Sequence, residues 1–460
     1  MNKTMIKTTC ILASYFFVNT ANAATVNISN YSGGDGILTV AEFNSAQDVA
    51  GNNGTIKFDQ TLTTTHNLVI YNKGITVIGI DSPTGQRQFT KTHANYITSV
   101  PTAWDDFNPV TDSQKIDPQA PNSSIFRIAT DDVTIKNIYL TASNWPLLKA
   151  NVSSTDGEGT RVATGVEMGI RVDSGKNLTI EDVKIDKVNV AINYDRDALP
   201  HGLTLKNSII TGGRGIINSA ESTTAFPADT SLESKMVIDN NHFVAYQWKA
   251  KNFCSARGLT FDYGNYAHSA DPFVGPGPID FLDSEVINNT FDAYSTFAVD
   301  FNRTKNVHIG KTNQGNTIKI GRYRTNYINI IHFEAKSSNI NIIENKLTIN
   351  QVDGATVTNS SHIWAGFGNK TKGATTTVLA KNNEYMGFPS GHLVGINIQD
   401  WRFQDEKVSL GGGLNASVYV RTIDISESVA EHKLWGTEVN NDFWTTGNKF
   451  GKFFYGWGEP

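Results

Sequence analysis

Cysteine is nearly absent: Cys10 and Cys254 are the only two among 460 residues. A disulfide framework is thereby excluded, and stability must come from burial. Positive charge is not in excess either, with 39 Lys and Arg against 44 Asp and Glu. Binding to nucleic acid calls for a basic stripe, so nucleic acid is not an expected partner. A polyanionic substrate stays open, because a local basic cleft can sit on an acidic protein. After the N-terminus no apolar run has the length that crosses a bilayer. Also missing are G-x-S-x-G, H-E-x-x-H, a Walker loop and Cys/His metal spacing, which removes nucleotide and zinc chemistry from the expected functions. Nothing in the pattern calls for a partner chain, and a monomer is expected.

The N-terminus does carry one apolar run. Lys3 and Lys7 precede residues 11–18, and Ala21-Asn22-Ala23 follow. A basic start, a short apolar core and an A-x-A site make a cleaved secretory signal rather than a membrane span. Residues 1–23 are therefore expected to be a signal peptide, and residues 24–460 a single secreted or periplasmic domain. Cleavage removes Cys10 and two lysines, leaving 37 of the 39 basic residues against 44 acidic ones.

What the sequence has in quantity is one recurring pattern, an alternating apolar stretch closed by Asn or Asp. It reads Val133-Thr-Ile-Lys-Asn-Ile138, Leu178-Thr-Ile-Glu-Asp-Val183 and Leu203-Thr-Leu-Lys-Asn-Ser-Ile209. It returns at residues 236–243, 286–291, 340–347 and 378–385. Repeats of about 20–50 residues signal stacked supersecondary units. Period-2 alternation makes each unit a strand, and the Asn tolerates the left-handed turn that follows. The pattern predicts an all-β fold, a parallel β-helix, with stacked Asn residues forming an internal ladder.

The two ends need caps, since an open solenoid exposes apolar rungs and strand edges. Phe43, Ala46, Val49 and Ala50 have helical spacing and predict an N-terminal helical cap. Residues 431–460 are dense in aromatics, among them Trp435, Phe443, Trp444 and Trp457, and predict a C-terminal aromatic-rich cap. Residues 81–122 break the rhythm and read as an insertion loop.

A second recurring strand carries the chemistry. Ile170, Ile192, Leu259, Val299, Ile331 and Ile396 point inward in its copies, as do Val172, Tyr194, Phe261, Phe301, Phe333 and Ile398. Outward positions then stack into two columns at about 4.8 Å per rung. One holds Arg171, Asn193, Thr260, Asp300, His332 and Asn397; the other holds Asp173, Asp195, Asp262, Asn302, Glu334 and Gln399. Arg196, Tyr263, Arg303 and Lys336 follow where strands turn into loops. A carboxylate column is costly unless bases or cations offset it. That singles out Asp262, Tyr263, Asp300, Arg303, His332 and Glu334 as the densest chemical cluster. Lys249, Lys251 and Trp401 are further candidates for gripping an anionic sugar.

The N-terminal helix, the strands ending in Asn, the signal pattern and the charge-rich face together resemble the pectin-lyase-like right-handed parallel β-helix superfamily. The resemblance spans about residues 35–430. It implies a carbohydrate-active enzyme, foremost a polysaccharide lyase acting on an acidic, uronic-acid-containing polymer such as a biofilm exopolysaccharide. A lyase removes the C5 proton of a uronate and expels the oxygen at C4. The resemblance implies an Arg or Lys base on the polar face, a place that Arg303 takes; a free guanidinium is normally always protonated, so His332 or Tyr263 is the chemically easier base. Asp300 is expected to support Arg303 and His332, and Tyr263 to donate to the leaving oxygen. Arg196, Lys249, Lys251, Lys336 and Trp401 are the expected substrate-binding residues. Asp262 and Glu334 are the expected calcium ligands, Ca²⁺ being the one implied cofactor. Two other readings stay open: a glycoside hydrolase using Asp300 with Glu334 or with Asp262, and a non-catalytic matrix-binding β-helix.

Overall fold

The computed structural model describes residues 23–81, 85–91, 124–142, 168–195, 198–219, 230–245, 257–263, 278–294, 297–321, 328–334, 337–350, 360–366 and 377–386, with short strands beyond to residue 455. The expected signal peptide lies outside the described residues, as does the expected C-terminal cap apart from strand Phe454–Tyr455.

Strands wind three to a coil, and each pairs in parallel with its counterpart one coil on. The first strands of the coils form a 13-stranded sheet. The other 21 strands make a second and a third ladder. Two eleven-residue strands, Lys184–Tyr194 and Ile209–Ser219, bend from one ladder into the other and join them. This is a right-handed parallel β-helix. Among the described residues, antiparallel pairing occurs only near the far end, at Arg402 with Asp424 and at Lys407 with Tyr419. One buried core runs from Val26 to Tyr385. Stacked aromatic rungs fill it, with Phe243 on Phe291 at 4.7 Å and Phe261 on Phe301 at 5.0 Å.

The repeating Asn turns out to be two residues with separate tasks. Asn240, Asn288 and Asn382 have φ near +55° and turn the chain out of the first ladder. The residue after each of them points inward. Asn241, Asn289, Asn316, Asn345 and Asn383 are all buried, and the Nδ2 of each of the first four donates to the Oδ1 of the next at 2.8–3.1 Å. The backbone N–H of Asn241, Asn289, Asn316 and Asn345 donates to that same oxygen, and each Nδ2 also donates to a strand carbonyl such as Ile238 O. A turn buried inside a solenoid must satisfy its own backbone polar groups, and this ladder does so. It ends at Ser208, whose N–H donates to Asn241 Oδ1 at 2.9 Å. In earlier coils apolar Ile138 and Val183 hold the equivalent place.

The helix Val40–Ala50 lies at the start of the coil stack. Thr39 and Glu42 form a capping box, and hydrogen bonds led by the Thr39 N–H hold the Glu42 carboxyl below its ordinary value. Phe43, Ala46 and Ala50 are buried as expected, but the fourth buried residue is Gln47, and Val49 is 55% exposed. Gln47 Nε2 donates to Val69 O at 2.8 Å and its Oε1 accepts from Tyr71 N, so a polar residue docks the helix on a third-ladder strand. A second departure concerns residues 81–122. Arg87–Lys91, inside that expected loop, is a second-ladder strand paired with Leu62–Thr64 and Ile138–Ala142. Its Phe89 is fully buried; the short length of the strand hid its period.

Lys91 ends that strand and is 2% exposed, its Nζ donating to Asn67 Oδ1 and to Ser124 O. Burial pushes its amine down to about 7. Below that pH both folded and unfolded chains hold the proton; above the ordinary lysine value neither does. Between the two, the unfolded chain binds more protons, so stability rises with pH. Chemical denaturation from about pH 7 to about pH 10 should show wild type gaining about 3–4 kcal/mol relative to Lys91→Met. Parallel curves for the two proteins would contradict this.

Candidate active site

The outward face of the third ladder holds the columns read from the sequence. Arg171 pairs with Asn193, Thr260 with Asp300, and Asp300 with His332. Three coils escaped the sequence reading. Arg127, Ile217 and Trp364 occupy rungs of the first column, on strands Ser124–Ala129, Ile209–Ser219 and Ser360–Gly366. In the last coil Gly395 takes the rung expected for Asn397, a shift of two residues. A period-2 pattern looks the same after such a shift.

The face divides by chemistry. At one end Arg127 and Arg171 both bond Asp173, the latter at 2.6 Å, and Arg171 reaches Asp195 at 3.0 Å. These charges compensate one another. Next come Met168, Val190 and Ile217, a buried apolar cluster separate from the core. The third part is the candidate site. Asp300 Oδ1 lies 2.8 Å from His332 Nδ1, and Asp300 Oδ2 lies 3.3 Å from an Arg257 guanidinium nitrogen. The Phe297 ring stacks on the imidazole at 4.4 Å and carries the guanidinium at 4.9 Å on its face. Side-chain exposure is 1% for Asp300, 4% for His332 and 29% for Arg257. A carboxylate on Nδ1–H fixes the tautomer and leaves Nε2 as the basic nitrogen.

Sequence reasoning missed Arg257 and Phe297. The cause is Gly258: a Cβ there would stand 2.3 Å from Ala298 O and 2.9 Å from the Phe291 ring. Gly258 therefore faces inward beside inward Leu259, the alternation slips by one, and Arg257 faces out with Asp300. The glycine before an apolar strand was the available signal.

Other expected residues fare differently. Tyr263 belongs to the core at 2% exposure, with its hydroxyl donating to Asn218 Oδ1 and its ring against Phe281. Burial raises its hydroxyl well above the ordinary value, so it is not a surface proton donor. Arg303 has φ 56°, is 7% exposed and donates to Tyr263 O at 3.4 Å. Burial pushes its guanidinium down, the direction that an arginine base needs. Trp401 lies in strand Asp400–Gln404 of the first ladder, paired with Val378, and so on a different face. Arg196, Lys249, Lys251 and Lys336 lie outside the described residues. Asp262 is half-buried beside Ser219 and Asn302, and the backbone of Glu334 pairs with Gly366.

Calcium takes six to eight oxygen ligands. Asp300 gives its oxygens to His332 and Arg257, and the register neighbours of Asp262 are uncharged. Among the described residues no three Asp, Glu, His or Cys side chains converge. The Glu334 side chain lies outside the described residues, and with it the calcium site expected from Asp262 and Glu334.

No family model matches the chain, and no curated protein matches it. Solved structures do. The DFA-IIIase from Arthrobacter chlorophenolicus A6 in complex with GF2 is 11% identical, covers 89% of this chain and 100% of its own, and has a TM-score of 0.38. A hyperthermoactive exopolygalacturonase from Thermotoga maritima is 14% identical, covers 87% and 95%, and has a TM-score of 0.40. Both are likenesses of fold. Among the described residues no helix is long and apolar enough to cross a membrane.

Proposed function

We propose that the chain is a secreted polysaccharide lyase that cleaves an acidic polymer along the outward face of the third ladder, with His332 as base. The observation carrying this reading is the buried Asp300 carboxylate bonded to His332 Nδ1 at 2.8 Å. Such a pair holds an imidazole in one tautomer and stabilises its cation as a proton arrives. His332 Nε2 takes the C5 proton of a uronate, the electron pair forms the C4–C5 double bond, and the C4–O bond breaks. The proton then passes from Nε2 to the departing oxygen. Asp300 is poorly suited to the hydrolase reading, since both of its oxygens are engaged, by His332 and Arg257. Secretion rests on the signal pattern of residues 1–23.

A panel of acidic polysaccharides, bacterial matrix polymers included, tests the proposal. Cleavage of one member should raise the ultraviolet absorbance of an unsaturated uronate, and chelator should leave the rate within about twofold if His332 and Asp300 carry the proton transfer without a metal. New reducing ends without that absorbance would overturn the lyase reading. Loss of activity on chelation would overturn the metal-free one.

A further inference from the structure

We propose that Arg257 makes this site selective for a carboxylated sugar, and that it does so by releasing Asp300 to His332 when the sugar's carboxylate arrives. The idea rests on the lyase reading for the polymer's identity but on the geometry for the selectivity.

Arg257 is the most exposed member of the cluster, at 29% of its side chain. Gly258 next to it admits no side chain, and Phe297 supports the guanidinium from one face. Its bond to Asp300, at 3.3 Å, is long for a charge-assisted pair, which normally closes to about 2.7–2.9 Å. Its Nε is buried without a hydrogen-bond partner. So is Thr260 Oγ1, on a residue 2% exposed that pairs in register with Asp300. Native proteins seldom leave buried polar atoms unmatched, and here one belongs to the guanidinium itself and the other to the register partner of Asp300, which suits a ligand with several oxygens. A carboxylate fits best, since a guanidinium presents parallel donors to it and the neighbouring hydroxyl serves a sugar oxygen.

Asp300 bridges the Arg257 guanidinium, through Oδ2, and the His332 imidazole, through Oδ1. A uronate carboxylate on Arg257 competes with Asp300 for the guanidinium. The Asp300 charge then acts wholly on the imidazole, and the base strengthens only when the correct sugar is present. A neutral sugar makes no such exchange. Among the described residues, the charged groups at His332 from the preceding strands are Asp300 and Arg257; the strand on its other side places Trp364, which does not titrate, at the same rung.

The test uses the full chain with glucuronate, galacturonate and glucose as probes, read by the nuclear magnetic resonance titration of the His332 imidazole. Wild type should bind a uronate at least about tenfold better than glucose, with the imidazole midpoint moving up on binding. Arg257→Gln should lose both the preference and the uronate-induced movement, while its ligand-free midpoint already lies higher, because a nearby cation is gone. Arg257→Lys should keep the direction of both effects at lower affinity. Uronate binding by Arg257→Gln equal to wild type, or a wild-type imidazole that ignores both uronates, would overturn the proposal. Failure of the lyase reading looks different: uronate selectivity intact, but no acidic polymer eliminated.

Discussion

His332→Gln is expected to lower the rate of elimination by about 10²–10⁴-fold, the range that a positioned base contributes. The substitution keeps a polar side chain of similar reach that can still donate to Asp300, so the coil should remain intact. Circular dichroism melts should therefore fall within a few degrees of wild type. Asp300→Asn should cost as much activity by another route. An amide cannot accept from both Nδ1–H of His332 and the Arg257 guanidinium on two oxygens, so one donor loses its acceptor and the imidazole loses its fixed tautomer. This second variant should also melt lower, because a buried group is left unmatched. Full activity in both variants, on a polymer the wild type cleaves, would move the chemistry to another face.

Asn316→Ala is expected to be the most damaging small change in the scaffold, at about 3–5 kcal/mol. Asn316 Oδ1 accepts from the N–H and Nδ2 of Asn289, while its Nδ2 donates to Val286 O and to Asn345 Oδ1. Alanine leaves the Asn289 N–H buried with no acceptor and interrupts a chain of polarised amides. Asn240→Gly provides the contrast. Asn240 sits at φ 54°, where glycine is at ease, and its side chain bonds Asn207 at an exposed place. That change should cost under about 1 kcal/mol. Denaturant unfolding of both proteins checks the pair. Equal losses would mean that the buried ladder is no stronger than the exposed turn. Hydrogen exchange at Asn289 and Asn345 would locate the damage.

The architecture was legible because period 2 survives in strands as short as Val237–Asp239, and because an Asn closes so many of them. Residues bound to that period, such as Asp300 and His332, were placed on adjacent rungs correctly. Three physical circumstances hid the rest. Strands without a polar neighbour, such as the one holding Ile217, show no outward signal. Gly258 breaks alternation and so concealed Arg257, which no spacing rule would place beside residues 300 and 332. Tyr263 shows the reverse error. It shares the parity of Leu259 and Phe261, and its polar tip drew attention to a ring that the period already sends inward. Burial of outward residues was also unreadable, since the face that covers them is a tertiary property. What the sequence read as a charged surface is in part a compensated ion-pair run through Arg127, Asp173, Arg171 and Asp195.

The central claim is that His332, held by Asp300, cleaves an acidic polymer by taking a proton rather than by directing water onto it. Mass spectrometry of products made in heavy-oxygen water tests that most directly. Elimination breaks the chain without adding water, so the products should carry the unsaturated uronate end and no heavy oxygen. One heavy oxygen per cut, with saturated ends, would contradict the account and make the enzyme a hydrolase.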